Sequence, residues 1–290
     1  MAIAVLGVRN NGTEIGMALK AEPLSAAATL RYYAEAIDKI TGEIAPTDPA
    51  FLGLVHREPA GVIAAIVPWN FPLMIAAWKF APALAAGCTM VLKPAETASL
   101  SLLRIAELAI EAGLPPGVFN VITGEGAVVG AHLAESMDVD VLVFTGSGGT
   151  GRRLLEAAAR SNLKRVYLEL GGKSPNVVFA DAPNLDEAAK VAVQGIFRNS
   201  GQVCIAGSRI LVERSIHKDF VEKLAAHASA MKVGNPLDLA TQAGAINSER
   251  QLMQNLGFVA EARAKGFNVM LAGGVNLARD PRNGRNFEYL

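Results

Sequence analysis

Apolar runs of strand length alternate with amphipathic stretches of helix length along most of the chain. The run GVIAAIV at 61–67 is continuously apolar and ends at Pro68, which is how a strand covered on both faces reads. Residues 71–86 carry a helical pattern stopped by Gly87, and TMVL at 89–92 is a second buried strand, ended by Lys93 and Pro94. Ser99 can cap the next helix, in which Arg104, Glu107 and Glu111 form one polar stripe before Gly113 and Pro115 terminate it. Further strands are expected at 119–122, 141–144 and 165–168, with helices from about Ala127 and from Gly146.

This alternation predicts an α/β fold built on a doubly wound parallel sheet. Such sheets bind ligands beyond the carboxyl ends of their strands, so the polar residues just after each apolar run are the ones to examine. After Gly172 the pattern restarts. Residues 176–179 and 208–212 are strand-like, Leu185, Ala188, Ala189, Ala192 and Ile196 share one helical face, and Ile216, Phe220, Leu224 and Met231 share another. A boundary near Gly171 and Gly172 divides the chain into domains 1–171 and 172–290, and no internal repeat is present.

Composition narrows the function. Lys+Arg and Asp+Glu balance at 27 each, and basic runs interleaved with aromatics are absent, so nothing draws the chain to nucleic acid or to an anionic membrane. The longest apolar stretch, 72–92, contains Lys79, Pro82 and Gly87, which argues against a membrane span. The apolar start at 1–8 has no basic residue before it and does not read as a signal peptide. Cys88 and Cys204 are far apart and suit a reducing, cytoplasmic compartment.

The candidate chemistry sits after the strands, and each piece has a plainer reading beside it. The segment GSGGTG at 146–151 matches the dinucleotide fingerprint G-x-G-x-x-G, with Glu169 a little short of the spacing of that fingerprint's acid; a glycine-rich turn that lets a helix pack on the sheet would look the same. Lys93 and Glu96 could grip the vicinal hydroxyls of a ribose, where a carboxylate would repel a 2′-phosphate and favour NAD over NADP; they could equally be a solvated turn before a helix. Cys204 lies in GQVCIAG at 201–207, a loop where an exposed thiolate would be a nucleophile, although free cysteine is commonly a small buried hydrophobe, as expected of Cys88. Asn70 carries amide donors suited to an oxyanion, and Asn is also an ordinary turn residue. His56, His132, His217 and His227 do not fall at strand ends, and the sequence has no clustered ligands, so neither a Cys–His hydrolase nor a metal site is expected.

Taken together, VPWNFP (67–72), LKPAE (92–96), FTGS (144–147), LELGGKSP (168–175) and GQVC (201–204) resemble the aldehyde dehydrogenase superfamily, in the family's order. YYAEA (32–36) and NSGQVC (199–204) are most similar to the bacterial branch that oxidises γ-glutamyl-γ-aminobutyraldehyde and related ω-amino aldehydes. The resemblance implies an NAD-binding domain followed by an α/β catalytic domain. Cys204 would attack the aldehyde carbon, and Asn70 with the Cys204 backbone N–H would hold the oxyanion. Glu169, which the fingerprint spacing would make a ribose-binding acid, becomes instead the base that activates water on the thioester, partly desolvated at a strand end. Lys93 and Glu96 would hold the adenosine ribose. Trp69, Gly146 and Ser147 would line the pyrophosphate site, with Val67, Pro68, Gly126 and Phe144 completing the cofactor-binding set and Leu170 beside the nicotinamide.

Two departures from the family pattern stand out. Gly148 and Gly149 replace a Thr-Glu pair common in the family, and the chain reads as truncated at both ends. Against the family pattern, the start would lack the usual N-terminal layer, the end GRNFEYL (284–290) would fall inside the catalytic domain, and these residues contain no Glu-x-Phe-Gly-Pro motif. Residues 42–59 resemble the family's remaining oligomerisation strands. The full-length family is expected to be homo-oligomeric, and loss of the C-terminal strand argues against that assembly here. Three readings follow: an NAD-dependent aldehyde dehydrogenase, an inactive fragment that at most binds nucleotide or a partner subunit, and a CoA-acylating dehydrogenase, against which Glu169 argues.

Overall fold

The computed structural model describes the backbone of residues 1–270, Asn276–Arg279 and Asn286–Tyr289, and side chains through residue 270. Of the stretch 284–290, residues 284, 285 and 290 lie outside the described residues. The chain divides into two compact units, one of Lys20–Leu170 and one of Met1–Leu19 with Gly171–Leu290. The hydrophobic pattern groups 1–171 together, whereas in the structure the first nineteen residues group with the later part of the chain.

The chain opens with helices α1 (Ala2–Asn11) and α2 (Ile15–Ala36), neither of which the hydrophobic pattern announced. A hairpin of β1 (Glu43–Ala45) and β2 (Gly53–Val55) follows. Then come β3 (Val62–Ile66), α3 (Pro72–Ala85), β4 (Thr89–Lys93), α4 (Leu100–Glu111), β5 (Phe119–Val121), α5 (Ala131–Glu135), β6 (Val141–Gly146), α6 (Gly148–Arg160) and β7 (Arg165–Leu170). Strands β3 to β7 form a parallel five-stranded sheet in the order β5-β4-β3-β6-β7. The chain builds outward from β3 to β5, crosses back to β6 on the other side of β3, and finishes at the edge with β7. This is the doubly wound arrangement expected from the sequence, and its switch point lies between β3 and β6, where Ile66 pairs with Phe144.

Burial explains why these strands were legible. Ile63, Ala64, Ala65 and Ile66 are all buried, so β3 is apolar on both faces. Ala64, Ile66, Leu142 and Phe144 pack with Ala134, Val139 and Leu154 into one core layer. Helix α3 starts with Pro72, whose fixed φ suits the first turn, and buries Leu73, Ile75, Ala76, Ala77 and Phe80. Removing the larger of these side chains from water is worth roughly 1.5–3 kcal/mol each.

Several boundaries differ from the sequence reading. Parallel pairing carries β4 through Lys93, β6 through Gly146 and β7 through Leu170, so Glu169 lies within the edge strand, opposite Thr145, instead of just beyond it. Ser99 sits at the start of α4 but its side chain makes no capping hydrogen bond. The helix expected from Ala127 is a wide turn over Gly126–Gly130 that leads into the short α5.

In the other unit, β8 (Pro175–Val178) and β9 (Arg209–Val212) pair in parallel across α7 (Leu185–Phe197), and α8 (His217–Ser229) follows. Val178, Ala189, Ala192 and Phe220 form its core. Helix α9 (Glu249–Ala264) and a hairpin of β10 (Asn276–Arg279) with β11 (Asn286–Tyr289) complete the described chain. A second small core joins Ala4, Val8, Ile15 and Ala18 to Leu237. Among the described residues no helix is long and apolar enough to cross a membrane.

Candidate active site

In the unit Lys20–Leu170, the sheet brings most of the expected site residues to one end of its strands. Val67, Pro68, Trp69 and Asn70 follow β3, with Val67 buried and the other three half-buried. Phe144 and Gly146 end the neighbouring β6, and Ser147 follows them. Lys93 ends β4, Glu96 lies three residues on, and Gly126 follows β5. Glu169 and Leu170 end β7. These positions share the carboxyl end of the parallel sheet, the end at which doubly wound sheets bind ligands.

Lys93 and Glu96 are joined rather than merely adjacent. The Lys93 ammonium, buried at 3% side-chain exposure, lies 3.0 Å from Glu96 Oε1, while the Glu96 side chain is 51% exposed. The Gly126 N–H donates to the same Oε1 at 2.6 Å. Desolvation alone would raise the Glu96 pKa; hydrogen bonds from its own backbone, Lys93 and Gly126, with the Lys93 charge, overcome it and hold the carboxyl below its ordinary value. The result is an anchored, ionised carboxylate open to solvent. That is a good acceptor for paired hydroxyls, and more than the solvated turn of the plainer reading.

At the switch point, Ser147 caps α6: its hydroxyl accepts the Thr150 N–H at 3.2 Å and pairs with the Thr150 hydroxyl at 3.0 Å. A helix N-terminus offers partial positive charge to a phosphate. Gly151 serves packing. A Cβ there would stand 3.0 Å from Leu170 Cδ2 and 3.4 Å from Leu168 Cδ1, so its absence lets α6 lie close on β7. The last glycine of the fingerprint is therefore explained by helix–strand contact.

Glu169 is exposed, not partly desolvated as expected, because β7 is the sheet's edge strand. Its charge is felt by Lys79, which in the sequence stands only as an interruption of an apolar stretch. Burial lowers the Lys79 pKa, and the Glu169 carboxylate partly restores it. A single charged residue on the otherwise apolar α3 was the signal available for it.

In the other unit, Cys204 is exposed, while Cys88, in the Lys20–Leu170 unit, is buried. The loop leading to Cys204 is unusual: Asn199, Ser200 and Gly201 have φ of 52°, 53° and 77° in succession. For residues with a Cβ the left-handed region costs about 1–2 kcal/mol each, so the surroundings must hold this turn. Gln202 clasps it by donating to the Asn199 carbonyl at 3.1 Å. Beyond it, Cys204 and Ile205 face outward between half-buried Val203 and buried Ala206. Among the described residues no cluster of three or more His, Cys, Asp or Glu could hold a metal ion.

Comparison with known proteins places the chain in a family. The profile of the aldehyde dehydrogenase family matches residues 1–288. The chain is 49% identical over 264 residues to the NADP/NAD-dependent aldehyde dehydrogenase PuuC of Escherichia coli, covering 91% of this chain and 53% of that protein. Human retinal dehydrogenase 2 is 44% identical over 277 residues, covering 96% of this chain and 53% of its own length. Among solved structures, the γ-glutamyl-γ-aminobutyraldehyde dehydrogenase of Burkholderia cenocepacia is 48% identical with a TM-score of 0.88, covering 96% of this chain and 54% of that one. The indole-3-acetaldehyde dehydrogenase AldA of P. syringae, in complex with NAD+ and IAA, is 47% identical with a TM-score of 0.92, covering 99% and 57%. The chain thus spans about half the length of the relatives it matches. The chain therefore belongs to the aldehyde dehydrogenase family.

Proposed function

We propose that the chain carries the nucleophile and the dinucleotide-binding elements of an NAD-dependent aldehyde dehydrogenase. The observation that carries this reading is the exposed Cys204, presented by a held left-handed turn while the other cysteine is buried. NAD would fit the residues at the carboxyl end of the sheet. Glu96, ionised and anchored by Lys93, would accept from the ribose hydroxyls, and the N-terminus of α6 beside Ser147 would face the pyrophosphate. When bound, NAD supplies the hydride acceptor. Trp69, Gly126, Phe144 and Gly146, with Val67, Pro68 and Leu170, would shape the rest of the site.

The Cys204 thiolate would attack the aldehyde carbon, forming a C–S bond and turning the carbonyl oxygen into an oxyanion. The Asn70 amide and the Cys204 backbone N–H would hold that oxyanion. Loss of hydride from carbon restores the carbonyl as a thioester on Cys204. Glu169 would take a proton from water as it attacks. The C–S bond then breaks, the thiolate leaves, and a carboxylic acid is released. The resemblance to the γ-glutamyl-γ-aminobutyraldehyde and PuuC enzymes supports an ω-amino aldehyde as substrate. Two free cysteines suit a cytoplasmic setting.

A second reading, binding of nucleotide or a partner subunit without turnover, is favoured by the β1–β2 hairpin region, where Ile44, Phe51, Leu52 and Leu54 are all exposed. Aldehyde-dependent NADH formation separates the two. Turnover that disappears in Cys204→Ala supports the enzyme, and none in the unaltered chain supports the binding role.

A further inference from the structure

The left-handed turn before Cys204 is gripped by a part of the chain nearly two hundred residues earlier, within the same unit. Asn199 is 1% exposed and makes its contacts in the interior. Its backbone N–H donates to Glu14 Oε1 at 3.2 Å, and its side-chain oxygen accepts from the Thr13 hydroxyl at 2.9 Å. Thr13 and Glu14 are themselves buried, at 4% and 5% exposure.

We propose that Thr13 and Glu14 are positioning residues for Cys204, holding Asn199 in the left-handed turn that presents the thiol. The inference rests on Cys204 being the nucleophile. The segment that carries the two residues is fixed in turn. The Ala245 N–H donates to the Gly12 carbonyl at 3.1 Å, and the Ile15 N–H to the Pro236 carbonyl at 2.8 Å. Gly12 has a φ of 81°, and a Cβ on Gly244 would stand 2.2 Å from the Gly12 oxygen, so only glycines let the two backbones meet here. From the other side, the Ser200 hydroxyl donates to the Gly244 carbonyl at 2.9 Å, and the Asn247 N–H donates to Gln202 Oε1 at 2.9 Å. Residues 199–202 are therefore clamped between the N-terminal segment and residues 244–247.

The chemistry of Glu14 suits a dedicated role. Burial pushes its carboxyl up from the ordinary value, against the hydrogen bonds from its own backbone and Asn199 and the charge of Arg198. Its second oxygen is buried with no hydrogen-bond partner among the described residues. A buried carboxyl with one idle oxygen is costly, and the hydrogen bond from Asn199 is the one that ties it to the loop. Cys204 lies five residues beyond Asn199, and loosening the turn would let Val203 and Ile205 collapse over the thiol.

Hydrogen exchange and thiol alkylation of the full chain test this. In Glu14→Ala and in Thr13→Val, amides of 198–204 should exchange about tenfold faster while those of α7 and β9 stay at the wild-type rate. Alkylation of Cys204 by iodoacetamide should fall by about threefold or more, with Cys88 still protected. Glu14→Gln keeps the acceptor oxygen and should restore both rates. Unchanged loop exchange, acceleration of α7 and β9 in step, an unchanged Cys204 rate, or Gln behaving as Ala would each overturn the proposal. Whether Cys204 is the nucleophile is decided separately. Aldehyde-dependent NADH formation that survives Cys204→Ala would end that reading and leave the exchange result to stand alone.

Discussion

The Glu22 carboxylate reaches from α2 to the start of α3 and accepts the Leu73 and Met74 N–H groups at 2.8 and 3.2 Å. It thereby supplies the cap that Phe71, at the head of that helix, lacks, and it holds the first turn of α3, three residues beyond Asn70.

This cap has a pH signature. Burial pushes the Glu22 carboxyl up to about 7 despite the two backbone donors. Between the ordinary carboxyl range and about pH 7, the folded chain keeps a proton that the unfolded chain has lost. Stability from this group is therefore full at low pH and falls as pH rises through that window, by about 3 kcal/mol in all. Glu22→Gln should remove this slope. Urea unfolding near pH 5 and near pH 8 should show the Gln variant gaining on wild type as pH rises, and parallel curves would contradict the assignment.

Glu96 predicts cofactor preference. Its carboxyl is held below the ordinary range, so the group stays ionised well below neutrality, and the ribose contact proposed for it should persist from about pH 8 down to about pH 5. Glu96→Gln should weaken NAD binding by about tenfold and narrow the gap between NAD and NADP, measured by titration calorimetry without turnover. Equal losses for both nucleotides would show that the carboxylate does not meet the ribose.

Gly151 predicts a steric limit. Alanine there improves helix propensity by about 1 kcal/mol while asking Leu170 Cδ2 to give slightly, so Gly151→Ala should be close to neutral. Gly151→Val adds branches toward Leu168 and Leu170 and should cost about 1–3 kcal/mol in unfolding experiments. A neutral valine variant would mean that α6 does not need this close approach.

The central sheet was readable because β3 is buried on both faces, and β4 and β6 are buried on one face and at least half-buried on the other, which turns each into a continuous apolar run. Strand ends were read short at Lys93, Gly146 and Leu170, since parallel hydrogen bonding continues into polar residues that periodicity assigns to loops. The Lys93–Glu96 pair was legible because its members are close in sequence. Glu14 and Glu22 were not. A glutamate reads as solvent-facing, and the partners that bury these two lie 185 and 51 positions away. Lys79 escaped for a related reason, since its counterpart Glu169 sits on a strand far along the chain.

The proposed chemistry requires Cys204 to take up the acyl group and Glu169 to release it. The most direct measurement is peptide mass spectrometry of Glu169→Gln after incubation with NAD and an ω-amino aldehyde. The predicted result is a stable acyl adduct on Cys204, formed with stoichiometric NADH. An unmodified Cys204, or an adduct on Cys88 instead, would contradict it.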